Sequence, residues 1–408
     1  MKNMNRGRIT AFIALMIALA MLIYPQESFE ASVEGLKLWF EIVLPALLPF
    51  FAMADILMGL GVVSFLGALL EPIMRPLFRI PGVGGFAVAM GLAGGYPIGA
   101  RITGELHRRG LCTRVEAERL LAFANTADPL FIVGAVAVGM FGRPEIGAAM
   151  LIAHYLGVVM VGLLLRFYRT GEPETPLPKK QRSEGYLARA IREMDKARRA
   201  DGRSFGQLFG DTIRETFASM LFIGGCIMMF SVLTTVLDAA GIMKFLTIPL
   251  EAILRTFKLE PSLATPIVHG FFETTLGSKS ASAASAPLIQ RAVVASLVIG
   301  WSGLSVHSQV SVMILGTRIR MLPYMFARLG HGIIAGIVTA ILLGPGMAVT
   351  SRIAGAIPVL STATWQTLSL GARFVLSLKW ASIVGLTGTA LGGLVRLSSR
   401  IRIIPFRH

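Results

Sequence analysis

Gly91-Leu92-Ala93-Gly94-Gly95-Tyr96-Pro97-Ile98-Gly99-Ala100 is an apolar stretch that cannot run as one comfortable helix. Glycine inside a helix costs about 1 kcal/mol against alanine, and proline removes a backbone donor and clashes with the preceding turn. Residues 83–100 are therefore expected to form a broken or re-entrant element, which a bilayer tolerates only where protein or a wet cavity satisfies the freed backbone. The amides released there could meet a ligand. Equally, Gly91, Gly95 and Gly99 are spaced for close helix packing, and the spacing leaves both readings open. No Gly-Lys-Ser/Thr follows the glycines, so this is not a phosphate loop.

A second stretch of the same kind lies 180 residues on: His269-Gly270-Phe271-Phe272-Glu273-Thr274-Thr275-Leu276-Gly277-Ser278-Lys279-Ser280, inside residues 262–280. The same shift superposes Gly61 on Gly241, Phe65 on Phe245, Leu66 on Leu246, Leu70 on Leu250, Glu71 on Glu251, Ile73 on Ile253, Arg75 on Arg255 and Pro81 on Pro261. The Glu-x-Ile-x-Arg spacing at both places points to an internal duplication.

Around these stretches the chain is strongly apolar: 54% of its 408 residues are hydrophobic and only 15% charged. The fold class expected is all-α and polytopic, with about eight transmembrane helices, two re-entrant or broken hairpins and an inverted internal repeat. The spans are placed at residues 9–24, 36–60, 120–141, 146–167, 216–237, 287–315, 324–343 and 374–394. The basic N-terminus followed by an apolar run also has the shape of a signal peptide, but an uncleaved first span fits the many spans that follow. An odd number of crossings separates the two broken stretches, so the copies should be oppositely oriented, as in inverted-repeat transporters.

The formal charge of +16 sits mostly in short segments between spans, where it holds loops on the cytoplasmic side and does not call for nucleic acid. Both termini and the basic stretch 169–203 belong on that side. Lys244, Arg255 and Lys258 dissent, falling outside. Residues 25–34, with three glutamates and no base, read as an outside loop. The organisation expected is an anchor helix at 1–35, a first repeat at 36–168, a basic cytoplasmic linker at 169–205, a second repeat at 206–345, and a loop and membrane helix at 346–408. Cys112 and Cys226 are too few and too distant to argue a disulfide framework or a four-ligand metal site.

Ionisable and hydroxyl groups inside such a chain are expensive and so mark a pathway. Candidate substrate contacts are Gly94, Gly95, Tyr96, Asn125, Thr126, Glu273, Thr274, Thr275, Ser278, Lys279, Ser305 and Gln309. Asp128 and His307 are candidates for a coupling ion or proton, with a helix-capping role as the plain alternative for Asp128. Lys279 would meet an anionic cargo or pair with Glu273. His154, lone in a span, reads as a packed hydrogen-bonding residue. A zinc site at His269 and Glu273 lacks the His-Glu-x-x-His pattern. No catalytic constellation stands out, so no enzyme activity, cofactor or metal is expected. A homo-oligomer stays open.

Pro45-Ala46-Leu47-Leu48-Pro49-Phe50, Pro81-Gly82-Val83-Gly84-Gly85-Phe86, Gly94 to Ala100, Ala117-Glu118-Arg119-Leu120, Asp128-Pro129-Leu130-Phe131-Ile132 and Ala153-His154-Tyr155-Leu156-Gly157, with residues 30–35, resemble the sporulation integral membrane proteins called YlbJ or SpoVV. These form part of the wider nucleoside-recognition, or Gate-domain, group. The resemblance covers nearly the whole chain and is most specific in its first half. It implies relatedness to concentrative nucleoside transporters, with inverted repeats and re-entrant hairpins. It also implies a place in endospore formation: synthesis in the mother cell and movement of dipicolinic acid across the outer forespore membrane. Related members carry Ser-Gly-Asn-Pro where this chain has Gly94-Gly95-Tyr96-Pro97, so the hydrogen-bonding role of that asparagine does not carry over. A nucleoside-type solute, or a membrane scaffold without transport, are the alternative functions.

Overall fold

The computed structural model describes residues 2–176 and 185–345. The expected span at 374–394 and the whole C-terminal unit lie outside the described residues. Among the described residues the regular elements are all helical. The first half runs α1 (Lys2–Ile23), α2 (Pro25–Leu38), a π-helical turn at Trp39–Val43, α3 (Leu44–Gly59), α4 (Val62–Phe78), α5 (Gly84–Gly94), α6 (Ile98–Arg108), α7 (Arg114–Ala124), a π-helix at Leu130–Met140 and α8 (Pro144–Leu165). After α9 (Tyr186–Asp201), the second half runs α10 (Phe205–Ala239), α11 (Ile242–Thr256), a 3-10 turn at Pro261–Leu263, α12 (Ala264–Phe272), α13 (Thr274–Ala283), α14 (Leu288–Trp301), α15 (Gly303–Met313) and α16 (Met321–Leu343).

Among the described residues four stretches are long and apolar enough to cross a membrane: Pro144–Leu165, Phe205–Ala239, Leu288–Met313 and Met321–Leu343. Phe51–Gly59 with Val62–Phe78 makes a fifth if that pair, bent by 86°, is one span. Of the other expected crossings within the described residues, 9–24 falls on α1, whose Ala14–Ile23 is a shorter apolar stretch, and 36–60 and 120–141 fall on interrupted helices. Residues 120–141 divide between α7 and the π-helix, because Asn125-Thr126-Ala127-Asp128-Pro129 breaks the run. Residues 25–34, expected as a loop, are helical; Pro25 sits at the first turn, where its missing N–H costs nothing. That helix packs so closely on α10 that a Cβ at Gly35 would lie 3.0 Å from Met228 Cα.

The long helices reverse the amphipathy of soluble ones. On α16, Leu322, Phe326, Leu329, Ile333, Ile337 and Ile341 are exposed, while Tyr324, Arg328, His331, Gly332, Ala335 and Thr339 are buried. The outward stripe suits lipid and the inward stripe carries the small and polar groups. Against α14, a Cβ at Gly300 would come within 2.4 Å of Gly332 Cα, so small residues set this contact.

Local geometry recurs at the 180-residue interval. Gly61 and Gly241, at φ +79° and +72°, precede α4 and α11 in the left-handed conformation that glycine adopts freely. Each helix then carries an i,i+4 ion pair, Glu71 with Arg75 and Glu251 with Arg255. The helix starts Gly84 and Ala264 stand 180 apart as well.

At the base-rich end, the buried Glu118 accepts from Arg320 Nε (2.7 Å), Arg320 Nη2 (2.9 Å) and the Tyr168 hydroxyl (3.0 Å), tying α7 to the chain after α8 and before α16. Burial alone would raise this carboxyl, but the bonds from Arg320 and Tyr168 hold it below the ordinary glutamate range. The charged linker helix α9 is not wholly solvated: Ala190 is fully buried, and a Cβ at Gly61 would lie 2.4 Å from the Met194 carbonyl oxygen.

Candidate functional site

Three chain breaks line one cavity of about 410 Å³, and a fourth precedes the helix that lends Val306 and Gln309 to its wall. The first is Gly95-Tyr96-Pro97 between α5 and α6, where Gly95 has φ +76° and the Tyr96–Pro97 peptide is cis. The second is Asn125–Pro129, the third Glu273 in extended conformation between α12 and α13, and the fourth Ser302 between α14 and α15. Tyr96, Asp128, Glu273, Thr274, Thr275 and Gln309 supply the polar lining, and Leu38, Phe131, Met140, Ile223 and Val306 much of the apolar wall.

Both carboxylates in the cavity cap half-helices. Asp128 Oδ1 accepts from Phe131 N–H at 2.9 Å, and Glu273 Oε2 from Leu276 N–H at 2.7 Å. Each meets the positive end of the helix it begins, which favours its negative charge. A Cβ at Gly95 would fall 2.5 Å from Asp128 Oδ2, so only glycine lets the first hairpin approach that carboxylate. Among the described residues the lining contains no lysine, arginine or histidine.

Behind Tyr96 runs a buried polar chain. The Tyr96 hydroxyl donates to the Ile299 carbonyl (2.8 Å), which the break at Ser302 frees and which also receives Arg328 Nη2 (3.2 Å). Arg328 Nη1 bonds His331 Nδ1 (2.7 Å), His331 Nε2 bonds the His154 carbonyl (2.8 Å), and the Thr126 hydroxyl bonds His154 Nε2 (2.6 Å). A carbonyl only accepts, so His331 carries its proton on Nε2 and receives Arg328 on Nδ1 as a neutral imidazole.

A second cavity, about 420 Å³, is lined by Asp55, Arg101, Glu105, Arg108, Arg109 and Arg203 among others. Its charges largely answer one another: Arg101 pairs with Asp55, and Glu105 takes both Arg108 (3.0 Å) and Arg109 (2.7 Å). The first cavity, with carboxylates and no basic group on its wall, is the candidate site.

The nucleoside-recognition family Gate matches residues 40–184. The sporulation integral membrane protein YlbJ of Bacillus subtilis is 41% identical over 345 residues, which is 85% of this chain and 84% of that protein. The chain belongs to the YlbJ family of sporulation integral membrane proteins. An uncharacterised protein of Alkalihalophilus pseudofirmus is 31% identical over 144 residues, 34% of this YlbJ-family chain and 29% of its own length. Among solved structures, CNTnw in an inward-facing substrate-bound state matches at 13% identity and a TM-score of 0.39, covering 83% of this chain and 85% of that one. A doubly substituted CNTnw in an outward-facing state matches at 14% and 0.36, covering 82% and 83%. A likeness at those scores says nothing of mechanism or cargo.

Of the candidate residues in this YlbJ-family chain, Tyr96, Asp128, Glu273, Thr274, Thr275 and Gln309 come together on the cavity wall. Gly94 and Gly95 form the turn beside it. Asn125, Thr126, Ser278 and Ser305 are buried off the lining. Asn125 Nδ2 donates to the Tyr324 hydroxyl (2.8 Å) and Thr126 engages His154, so these two hold the break and do not face the cavity. His307 is also off the lining, its Nδ1 on the Gly303 carbonyl (2.7 Å) and its ring between Trp301 and Tyr324. His154 is the packed, hydrogen-bonded residue expected.

Lys279 must be corrected. Its side chain is 68% exposed, lies 3.8 Å from Glu34 and is off the cavity lining, so it neither enters the cavity nor pairs with Glu273. Sequence reasoning missed Arg328 and His331. The signal was present: two ionisable residues inside the expected span 324–343.

Proposed function

We propose that the protein is a solute transporter of the spore-forming cell that moves dipicolinate from the mother cell across the outer forespore membrane. The observation that carries the reading is the meeting of two broken hairpins, at Tyr96 and at Glu273, on a single interior cavity between long apolar helices. Broken backbone at membrane depth is tolerated only where protein or a wet cavity satisfies the freed groups, and here both hairpins give residues to a cavity. The volume suits a small flat molecule, with Phe131, Val306 and Tyr96 for its ring and Thr274, Thr275 and Gln309 for its polar edge. The recurrence at 180 residues supports two inverted repeats, 36–168 and 206–345, that rock about this cavity to expose it to either side.

Asp128 and Glu273 set a condition on the cargo. Two carboxylates and a dianion repel one another at low dielectric, so dipicolinate travels with protons or a counter-cation that the two acids help to hold. A nucleoside-type solute is the second reading, favoured by a lining that among the described residues carries no basic side chain. Uptake of labelled dipicolinate into proteoliposomes, with nucleosides and unrelated dicarboxylates as competitors, tests both. Saturable uptake that nucleosides leave untouched is expected. Nucleoside uptake in its place would exchange the first reading for the second, and no uptake of either by correctly inserted protein would favour a scaffold.

A further inference from the structure

Arg328 is fully buried on α16 and forms no ion pair among the described residues. Its partners are neutral: a carbonyl, an imidazole that accepts through Nδ1, and the Tyr96 ring, whose centroid is 5.8 Å from Cζ. Its Nε has no partner at all. Satisfying the Ile299 carbonyl does not explain the charge, since Tyr96 already donates to that atom as a neutral hydroxyl. An unpaired cation inside a membrane segment is costly, and such residues are kept where a function uses the charge.

Tyr96 joins this cation to the cavity. Its ring lies over the guanidinium, its hydroxyl shares the arginine's acceptor, and the same side chain belongs to the cavity wall with Asp128 and Glu273. Displacing one aromatic ring would bring a planar, five-donor fork to the edge of a cavity that otherwise has no positive side chain among the described residues.

We propose that Arg328 is the receptor for a carboxylate of the cargo, screened by Tyr96 until the cargo arrives. The ligand class is a planar organic acid whose carboxylate takes the fork bidentately, exchanging the cation–π contact for a charge-assisted pair. The inference rests on the cavity being the cargo site, and it names the group that selects for charge.

The test compares dipicolinate with its uncharged diamide, pyridine-2,6-dicarboxamide, by equilibrium binding to the purified full chain and by uptake in proteoliposomes. Wild type should bind the dianion far more tightly than the diamide. Arg328→Met should lose at least tenfold of that preference, because the diamide keeps the shape and loses the charge. Arg328→Lys should keep the preference with binding weakened about tenfold, the ammonium lacking the fork. If Arg328→Met does not insert, Arg328→Lys carries the test, and wild-type affinity in that variant would overturn the proposal. So would a monodisperse Arg328→Met with the wild-type preference. Binding without uptake in wild type would sink the transport reading while leaving Arg328 to be judged by the preference. Absence of dipicolinate binding in wild type would overturn both.

Discussion

Replacing Gly91 or Gly99 by alanine strikes the joint that holds the first hairpin against the end of α7. A Cβ at Gly91 would lie 1.8 Å from the Ala124 carbonyl oxygen, and one at Gly99 2.1 Å from the same atom and 2.8 Å from Asn125 Cα. A carbon and a carbonyl oxygen rest no closer than about 3.3 Å. The hairpin and α7 must therefore part by more than about 1 Å, and the obstacle is backbone that no rotamer change removes. Overpacking costs about 1–3 kcal/mol, and this geometry belongs at the upper end, ~3 kcal/mol. At roughly 2–4 °C per kcal/mol for a chain of a few hundred residues, Tm should fall by about 6–12 °C. Any shift of Asn125 also strains its bond to Tyr324 and moves Asp128, so uptake should fall with Tm. Thermal unfolding in detergent, read by the monodisperse fraction after heating, measures the first effect. Gly330→Ala is the control: nothing lies within 4 Å of its added Cβ, and helical alanine is favoured over glycine by about 0.5–1 kcal/mol. Wild-type Tm and uptake in Gly91→Ala and Gly99→Ala would refute the reasoning.

Glu118→Gln should flatten the acid limb of stability. Its folded pKa lies below the unfolded one, so its contribution is complete above about pH 5, shrinks as the unfolded glutamate protonates near 4.3 and vanishes once the pH falls through the folded value; Tm followed from pH 7 to 3 reads this, and an unchanged profile counts against the Arg320 bonds. Lys279→Met should leave dipicolinate uptake within about twofold of wild type, because the ammonium faces away from the cavity; a loss of tenfold or more would return this lysine to the path. Asp128→Asn and Glu273→Gln should each slow uptake and weaken its dependence on pH or on the accompanying cation, and an unaltered dependence in both would remove them from coupling. Impermeant labelling of single cysteines at Arg203 and Arg143 should reach them from opposite sides of the membrane; labelling from one side would discard the even-crossing topology.

Much of the architecture was legible because backbone chemistry is local. Glycine and proline at 91–99 disfavour a continuous helix whatever surrounds them, and the break falls at Gly95-Tyr96-Pro97. The matched Gly61 and Gly241 were visible as a repeat, and both adopt the left-handed conformation. The polar runs at 125–129 and 302–309 coincide with two further interruptions, since short polar residues before Pro or beside Gly compete with helical hydrogen bonding.

What the tertiary structure decided was direction. In a membrane helix apolar side chains suit both lipid and protein, so the pattern that would tell inside from outside in a soluble helix is weak. Lys279 and Ser278 are neighbours in sequence, yet one faces Glu34 and the other is buried. Asn125 meets Tyr324 across 199 positions, and Tyr96 meets Ile299 across 203; nothing local encodes either pairing. The sequence alone determined where this chain must break, because breaking is a property of single residues. Which groups then face the cavity, and that Arg328 waits behind Tyr96 without a carboxylate, depend on the rotation of each helix against its neighbours, which only the packed structure fixes.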